Sequence, residues 1–468
     1  MTNSVSELQE ELKAILHDLD VVILEKAIQW ARQMYRAVVE EIDKLLLRCR
    51  DRVLSVQHIR QVGYSTVMGK VRIGRRQYKD NRGKYRYLLD EVLGIEGNSH
   101  TTNKVKHLAL EMACDMSFRR SSRLLERTTA IHLSHQAIWG LVGRVADPYL
   151  EQRRREIAWF LETGELPCSE GKKVAGLMME ADGVMVSLQR AKSRKAEVKL
   201  GIAYEGWYRV GRDRYATVNK TIYSDVAGCE EYWAGMMLKL HRKYDLRDTM
   251  RMVIGGDGAA WVKEGLEHFG GTYQLCRYHL NRQLTTALGP DMKTARAVMN
   301  HCERGETDLA CKLLSEAEVS AKGEQSKRIE SVRRYLIANR DGLRDYRLDL
   351  GEDGCKLRRT GAIEGNIDKL IVRRMKNQGM SWSVEGIRRM LCVRFLYLEN
   401  KLEASLRKAS IRPELNSLPG SKLRRLLKDV HIPHLGVVKG ALPALYGPHI
   451  NRPWVQALKS FATLDMGI

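Results

Sequence analysis

The feature that most constrains the fold is an alternation of strand-like and helical segments that begins at Val174. Three strand-like runs come first, AGLMMEADGVMVSL, EVKLGIAYEGWYRV and RYATVNKTIYS, and a helical segment, EEYWAGMMLKLHRKY, follows them. The buried run MRMVIGGDGAAW, a helix, the short strand TYQLCRY and another helix come next. Three meandering strands followed by alternating helices and strands are typical of ribonuclease H-like folds, so we expect an α/β core of that type over residues 172–400.

Two further segments frame this core. Residues 285–350 are almost purely helical and polar in pattern, and we interpret them as a helical insertion into the core. Residues 401–468 contain most of the prolines and are interpreted as a basic C-terminal arm.

The first hundred residues show two patterns. From Leu8 to about Arg52, apolar residues recur at three- and four-residue intervals, which predicts one long amphipathic helix or a pair of helices in residues 1–60. This helical face packs on the next unit or binds a partner helix. Between Val67 and Leu93, β-prone runs flank turn formers at 81–83, which predicts a basic hairpin within residues 61–100. Its cations, interleaved with tyrosines, either follow a DNA backbone or form a solvated surface.

Residues 101–165 are predicted to be helical, with three short helices between Lys104 and Val145. The second and third have the proportions of a helix-turn-helix, and Ser134 caps the third. In that motif the second helix enters the major groove, while residues of the first lie near phosphates. The predicted DNA contacts are therefore Arg119, Arg120, Arg123, Ser134, His135, Gln136 and Trp139. The stretch after Tyr149, which ends in Pro167 and Gly171, is interpreted as a linker.

The charge balance favours a nucleic-acid partner. The chain has 79 Lys and Arg residues against 57 Asp and Glu residues, a net charge of +22 at pH 7, which attracts polyanions. Ribosomal and basic membrane-surface proteins share this balance, but they rarely combine it with acidic residues embedded in strand-like runs. The nine cysteines are scattered without a CxxC pair, as expected of reduced thiols, and the N-terminus carries acids and no apolar run. We expect a cytoplasmic protein that does not enter a membrane.

Two aspartates stand in apolar runs where a lone carboxylate is costly to bury. Asp182 lies between Met179 and Val184 within a strand-like run, and Asp257 ends the run Met252 to Gly256. Strand ends are where open α/β sheets place their ligands. Two-metal phosphoryl transfer needs two or three carboxylates that converge on a pair of cations. The two aspartates are therefore candidates for such a site.

A third acid should come from a helix packed beside these strands. Glu364 begins a helix, IEGNIDKLIVRRMK, that is rich in Arg and Lys, and Asp368, one turn later, is the main rival. For any one of these acids alone, a helix cap, a turn or an ion pair is the simpler interpretation. The set of three favours a metal site.

The blocks MEADGVMV, VIGGDGAAWVKEG, QLCRYHLNRQL and GAIEGNIDKLIVRRMKNQGMSWS resemble, in order and spacing, those of the Asp-Asp-Glu transposases of bacterial insertion sequences. The resemblance is to the ISLre-type group, which is related to the Mutator-like elements, and it covers most of the chain. Asp257 follows Asp182 by 75 residues, and Glu364 follows Asp257 by 107, which leaves room for the insertion. In place of the Ser- or Cys-rich approach to the glutamate that is frequent in this group, the chain has RRTGAIEGN.

The resemblance implies that Asp182, Asp257 and Glu364 are the catalytic acids and bind Mg²⁺, for which Mn²⁺ substitutes. Cys276 and His279 match the C-x-x-H signature of Mutator-related enzymes, in which the histidine lies near the active site, and Trp382 lies in the last block. Zinc binding by Cys276 and His279 requires two further ligands, and none stands at a suitable spacing. His279 is otherwise a structural histidine or lies near the scissile phosphate.

The same resemblance implies cleavage at the ends of an insertion sequence and transfer of the exposed 3′-hydroxyl into target DNA. The partners would be double-stranded DNA, as terminal inverted repeats and as target, and a second copy of the chain in a dimer or larger assembly at the bacterial nucleoid. The predicted backbone contacts near the active site are Arg373, Arg374, Lys376, Arg388 and Arg389. Two alternatives remain: a nuclease of the same fold that does not join ends, and a sequence-specific DNA-binding regulator. A helical partner-binding protein is a third, which leaves the acidic blocks unexplained.

Overall fold

The computed structural model describes residues 19–95, 100–129, 131–168, 171–212, 214–246, 251–350, 358–377 and 379–408. The chain divides into two compact units. The first contains the described residues of Met1–Ala109, Ser122–Ser134 and Glu403–Ile468, and the second contains those of Leu110–Ser121 and His135–Leu402. The first eighteen residues, and the C-terminal arm from residue 409 onward, lie outside the described residues.

The first unit is built on one long helix and an antiparallel hairpin. The helix Leu19–Cys49 packs its buried face against strands β1 (Ser55–Thr66) and β2 (Gly69–Lys79), and a short β3 (Tyr85–Arg86) extends the sheet. The hairpin thus starts 12 residues before the predicted Val67. The sequence did not reveal this first strand because most of β1 is exposed and lacks an apolar alternation. The turn between β1 and β2 lies at residues 67–68, and Gly69, directly after it, adopts φ 101°. The turn predicted at 81–83 joins β2 to β3 instead.

Arginines of the hairpin are held by carboxylates of the same unit. Arg75 ion-pairs with Asp90 and stacks on the Tyr87 ring at 3.7 Å, and Arg76 ion-pairs with Asp43. Because Arg75 is only 7% exposed, it stabilises the fold of this unit and does not form the DNA-tracking surface considered from the sequence.

The second unit is a mixed α/β structure around a five-stranded sheet. Its strands are β4 (Leu177–Ser187), β5 (Lys195–Tyr204), β8 (Thr221–Asp225), β9 (Met252–Gly256) and β10 (Thr272–Leu275). The order is β10-β9-β4-β5-β8, with β9 parallel to β4 and β10, and β5 antiparallel to β4 and β8. The α/β class predicted from the sequence is confirmed.

The predicted meander is interrupted between its second and third strands. The run predicted as one strand from Glu197 to Val210 breaks after Tyr204, and β6 (Gly206–Gly211) pairs with β7 (Arg214–Val218) as a separate two-stranded hairpin. Gly206 has φ 150°, a conformation that other residues rarely adopt, so the chain changes direction there.

The described residues also form a set of helices. Besides Leu19–Cys49 they are Leu88–Leu93, Asn103–Asp115, Phe118–Thr129, His135–Thr163, Cys229–His241, Ala260–Lys263, Gly265–Phe269, Arg277–Leu288, Met292–Arg304, Thr307–Ser320, Glu324–Ala338, Arg340–Leu343, Ile363–Ile367, Val384–Leu398 and Leu402–Lys408. A 3₁₀ helix spans Tyr346–Leu350 and a π-helix spans Asp368–Lys376. The third helix of the predicted helix-turn-helix region runs on to Thr163, so the first part of the predicted linker is helical.

The region predicted as a helical insertion is helical, and it contributes to the core of the second unit. Val298, Leu314, Ile329 and Leu336 from its helices join Leu177 and other strand residues in one buried cluster. Within the described part of the chain, none of the helices combines the length and apolar character that crossing a bilayer requires.

Candidate active site

Asp182 and Asp257 are brought together by two parallel strands. In the β4–β9 register Glu180 pairs with Gly255, and each aspartate lies two residues beyond its member of that pair. Neighbouring strands are about 4.8 Å apart, so both carboxylates lie at the carboxyl end of β9 on adjacent strands.

The alternation along β4 separates a core face from a polar face. Leu177, Met179 and Ala181 belong to the buried apolar cluster of the second unit. Successive side chains of a strand point to opposite faces, so Glu180 and Asp182 share the other face. Both are nevertheless buried, with exposures of 2% for Glu180 and 8% for Asp182.

The environment of Asp182 disfavours its ionised form. Burial, followed by the charge of Asp257, raises the pKa of Asp182 to about 6. Glu364 adds to the increase, whereas the Gly183 N–H, at 2.6 Å, and His279 oppose it. Asp257, Glu364 and His279 are thus all close enough to act on this one carboxylate.

The loop that carries Asp257 is fixed on both sides. The Asp257 carboxylate accepts the Ala259 N–H at 3.0 Å, and its carbonyl accepts the Tyr335 hydroxyl at 2.6 Å. Gly258 has φ 96°, and a Cβ there would lie 2.7 Å from the Asn339 amide oxygen. The insertion therefore supports this loop through Tyr335 and Asn339.

Glu180, on strand β4, holds the start of the helix that carries Glu364. The Glu180 carboxylate accepts the backbone N–H groups of Gly361, Ala362 and Ile363 at 2.9, 3.1 and 3.1 Å, and it also accepts the Tyr204 hydroxyl. These N–H groups at a helix start have no partner within the helix, so a carboxylate is a favourable partner for them. Sequence reasoning missed Glu180, although its position two residues before Asp182 in an apolar strand was a usable signal.

Cys276 and His279 lie beside Glu364. Cys276 precedes the helix Arg277–Leu288, and its N–H donates to the Gly256 carbonyl at 2.7 Å, which fixes it beside the Asp257 loop. His279 Nδ1 is 3.2 Å and Cys276 Sγ is 3.8 Å from Glu364 Oε1. Burial raises the pKa of the Cys276 thiol to about 12.

The rival acid Asp368 and the predicted Trp382 are engaged elsewhere. Asp368 ion-pairs with the neighbouring Arg373 at 2.8 Å. Trp382 is buried, its indole N–H donates to the Met375 carbonyl at 3.1 Å, and its backbone extends the end of β4. Trp382 therefore anchors the segment that follows the Glu364 helix.

Three of the arginines predicted to contact DNA have structural partners instead. Arg374 is 1% exposed and donates to the Ala113 carbonyl at 2.7 Å, so it is inaccessible to a phosphate. Arg388 pairs with Asp225, and Arg389 forms two hydrogen bonds to the Asp147 carboxylate. Basic character along a helix does not reveal such distant partners. The other two predicted residues, Arg373 and Lys376, are exposed.

In the predicted helix-turn-helix region most of the side chains that were predicted to contact DNA are accessible. Exposed residues are Arg119, Arg120, Arg123, His135 and Gln136, and Ser134 is half-buried. The ring of Trp139, by contrast, packs on Phe118 with centroids 5.6 Å apart. Trp139 therefore serves packing within the second unit.

A basic cavity of about 760 Å³ lies at the outer edge of β8, between helices His135–Thr163, Cys229–His241 and Val384–Leu398. Its cationic lining residues are Arg153, Lys220, Lys239, Arg242, Lys243 and Lys401. Carboxylates of Asp225, Glu156 and Glu399 pair with four of them. Among the described residues, neither Lys220 nor Lys243 ion-pairs with a carboxylate, and burial lowers the pKa of both.

Comparisons with known proteins place the chain in a family. The sequence profile described as "Uncharacterised protein family (UPF0236)" matches residues 9–409. UPF0236 protein TTE2489 of Caldanaerobacter subterraneus subsp. tengcongensis is 26% identical over 370 residues, which are 78% of this chain and 74% of that protein. A second UPF0236 protein of that organism is also 26% identical, over 78% of this chain and 73% of that protein. Its name joins eleven designations, from TTE0033 to TTE2212. The UPF0236 protein in the vanSb 3′ region of Streptococcus gallolyticus is 28% identical over 71% of each chain. The chain therefore belongs to the UPF0236 family.

Proposed function

We propose that this protein is a DNA transposase that cleaves the ends of an insertion sequence and joins them to target DNA. In this proposal Asp182, Asp257 and Glu364 hold divalent cations, Mg²⁺ with Mn²⁺ as a substitute. One observation carries the proposal. Acids from three distant chain segments converge, and the resulting charge and burial raise the pKa of Asp182 to about 6. Carboxylates packed together at such a cost are characteristic of functional sites.

The sheet topology supports this function through the fold it resembles. Three antiparallel strands, β4, β5 and β8, are followed by a helix and by two strands parallel to the first, β9 and β10. A ribonuclease H-like core has this arrangement, with its acids on the first and fourth strands. Asp182 and Asp257 occupy those two positions, and Glu364 follows the helical insertion.

The donor atoms in the site fit a hard divalent cation. Mg²⁺ takes oxygen ligands and is held by only a few carboxylates. Asp182, Asp257 and Glu364 supply carboxylate oxygens, and a cation would relieve the repulsion that Asp182 experiences from the other two. When bound, a pair of such cations supplies Lewis-acid polarisation of the attacking and leaving oxygens of a phosphodiester.

The chain itself positions the carboxylates. The Asp257 loop and the Glu364 helix are pre-positioned by Tyr335 and by Glu180, so the carboxylates need little reorganisation when DNA binds. Both cleavage and joining are in-line displacements at phosphorus, so one set of carboxylates serves both steps and no covalent protein intermediate is required.

One of the relatives adds support of a different kind. The name of that Caldanaerobacter protein joins eleven designations for one protein. An element that moves within a genome is expected to leave several copies of one coding sequence. Repeated designations are therefore expected for a transposase and need a separate explanation for a regulator.

Charge supports DNA as the partner. The net charge of +22, the basic cavity and the exposed residues Arg119, Arg120 and Arg123 all favour binding of a polyanion. Two element ends must be held together for paired joining, so we expect a dimer or larger assembly on DNA.

The experiment uses the DNA that flanks the coding sequence on both sides, because these flanks contain the element ends if the proposal is right. Purified protein is incubated with a labelled donor carrying both flanks and with Mg²⁺ or Mn²⁺, and the products are sized on a denaturing gel. We expect cleavage at fixed positions in the flanks with the wild-type chain. Asp182→Asn, Asp257→Asn and Glu364→Gln should abolish cleavage while DNA binding persists.

Asp368→Asn is the matched control, because it removes a carboxylate from the same helical segment outside the cluster. It should cleave at the wild-type rate. Binding of the flanks without any metal-dependent cleavage would reject the enzyme and favour a DNA-binding regulator. Cleavage that never yields joined products would favour a nuclease.

A further inference from the structure

Three donor atoms of different chemistry converge beside the two aspartates. The Cys276 thiol, the His279 imidazole and the Glu364 carboxylate each offer one atom, and these atoms all lie within 4.8 Å of one another. Cys276 and His279 are three residues apart at the start of one helix, a spacing that puts both side chains on the same face. Glu364 comes from a separate helix, which is why spacing along the chain did not reveal it.

The separations match those of a metal site. Zinc binds sulfur at about 2.3 Å and imidazole nitrogen or carboxylate oxygen at about 2.0–2.2 Å, so tetrahedral geometry puts nitrogen roughly 3.4 Å and sulfur roughly 3.6 Å from the oxygen. The observed distances to Glu364 Oε1 are 3.2 Å from His279 Nδ1 and 3.8 Å from Cys276 Sγ. A cation of this size therefore fits between the three atoms with little movement.

The histidine contributes an independent observation. His279 Nδ1 is buried, and within the described part of the chain it makes no hydrogen bond, although Glu364 Oε1 is near. A buried polar atom without a partner is costly, because it has lost its bonds to water. A cation bound to Nδ1 would satisfy it.

We propose that Cys276, His279 and Glu364 form a three-ligand site for a zinc-class cation. Thiolate and imidazole ligands favour Zn²⁺ and related transition metals, whereas Mg²⁺ requires oxygen ligands. Three protein ligands leave a fourth position for water or substrate, which is the arrangement of catalytic rather than structural zinc.

This site is distinct from the oxygen site but adjoins it. Both measured distances end at Glu364 Oε1, so Oε2 is the atom available to cations held by Asp182 and Asp257. Glu364 thus belongs to both sites. The inference goes beyond the proposed function, because a zinc-class cation could bind here whether or not the chain joins DNA ends.

Cobalt provides a direct test, since Co²⁺ replaces Zn²⁺ and reports thiolate ligation by a charge-transfer band in the near ultraviolet. The full-length protein is stripped of metal with a chelator and titrated with Co²⁺. We expect one equivalent to produce the charge-transfer band and the visible absorption of tetrahedral cobalt. Zn²⁺ should displace the cobalt, and Mg²⁺ should not.

Variants locate the site. Cys276→Ser should abolish the charge-transfer band. Loss of a residue that only hydrogen-bonds a metal ligand weakens metal binding by roughly 10–100-fold. His279→Gln removes a ligand itself, so it should weaken Co²⁺ binding by more than that. Cys302→Ser is the matched control, because Cys302 is another buried cysteine of the same unit, 1% exposed. It should leave the band unchanged.

Asp182→Asn separates this inference from the proposed function. It should retain the cobalt band even though the proposed strand-transfer activity is lost. The zinc site is rejected if the wild-type chain gives no thiolate band, if the band survives Cys276→Ser, or if His279→Gln binds Co²⁺ as tightly as the wild type. Loss of activity in the Asp182 and Asp257 variants, or its absence in the wild type, leaves the cobalt result unaffected.

Discussion

The Glu180 carboxylate accepts the backbone N–H of Ile363 at 3.1 Å, although the two residues are 183 positions apart in the chain. With the parallel bonds to Gly361 and Ala362, this contact ties the start of the Glu364 helix to the strand that carries Asp182. The catalytic geometry that we propose therefore depends on a carboxylate that binds no metal.

Glu180→Gln should weaken this connection, because an amide NH₂ group cannot accept the N–H groups that face it. Hydrogen bonds to charged groups contribute about 1.5–3 kcal/mol each, so we expect the free energy of unfolding to fall by roughly 3 kcal/mol. Misplacement of Glu364 should lower the cleavage rate on the order of 100-fold. It should also raise the Mn²⁺ concentration needed for half-maximal activity.

Glu205→Gln is the control for this variant. Glu205 accepts hydrogen bonds from Lys172 and Asn219, so the substitution removes charged hydrogen bonds elsewhere in the same unit. Cleavage per folded molecule should be unchanged. Equal losses of cleavage in both variants would show that Glu180 acts on stability alone.

The raised pKa of Asp182 predicts a pH-dependent effect on stability. A carboxyl group whose pKa is about 6 when folded, against an ordinary value of 3.8, binds its proton more tightly in the folded protein. Its ionisation therefore costs no stability below pH 3.8, an increasing amount up to pH 6 and the full amount above. That full amount is roughly 3 kcal/mol for a difference of this size.

Asp182→Asn removes this cost. In chelator, its free energy of unfolding should exceed that of the wild type at pH 8, and the difference should shrink as the pH falls towards 4. Urea unfolding at several pH values measures it. A difference that is the same at every pH would contradict the assigned cause.

Arg374 and Arg373 are neighbours with opposite expected roles. The buried Arg374 donates to the Ala113 carbonyl and lies 4.8 Å from the Trp382 ring, whereas Arg373 is exposed. Arg374→Lys loses the planar fork and should lower the free energy of unfolding by roughly 2 kcal/mol, with DNA affinity per folded molecule unchanged. Arg373→Lys should leave stability unchanged. If the folded Arg374→Lys variant bound DNA more weakly than the wild type, the result would support the DNA contact by Arg374 that the sequence predicted.

The basic cavity should contact the DNA backbone. If Lys220 and Lys243 each neutralise one phosphate, their joint replacement by Ala should reduce the slope of log affinity against log salt by roughly two. The measurement uses duplex DNA in chelator, so that no cleavage occurs. Lys327→Ala with Arg334→Ala is the control, because both side chains are exposed on the insertion and paired with glutamates. An unchanged slope in the Lys220 and Lys243 variant would exclude this cavity as a DNA site.

The local sequence pattern predicted the features that depend on neighbouring residues. Asp182 stands out because it interrupts an apolar strand, Asp257 because it ends one, and the helical region that follows stands out by its periodicity. The first strand of the N-terminal hairpin was missed because its side chains are mostly exposed and show no alternation.

Features that depend on distant partners could not be predicted in the same way. Glu180 and Asp182 have similar surroundings in the sequence, yet one binds backbone N–H groups and the other faces carboxylates. Arg374 sits in a run of cations, and only the folded chain buries it. The ligand group of Cys276, His279 and Glu364 likewise joins segments 88 positions apart.

The most direct test of the central proposal asks whether the protein joins a DNA 3′-end to a target. A donor duplex that ends at the cleavage position of the flank is prepared with either a 3′-hydroxyl or a 3′-deoxy terminus and incubated with protein, Mn²⁺ and a circular target plasmid. The proposal predicts that the wild-type chain joins only the 3′-hydroxyl donor, and that Asp182→Asn joins neither while Asp368→Asn joins as the wild type does. Failure of the wild-type chain to join the 3′-hydroxyl donor, in the presence of stable DNA binding, would contradict the proposal.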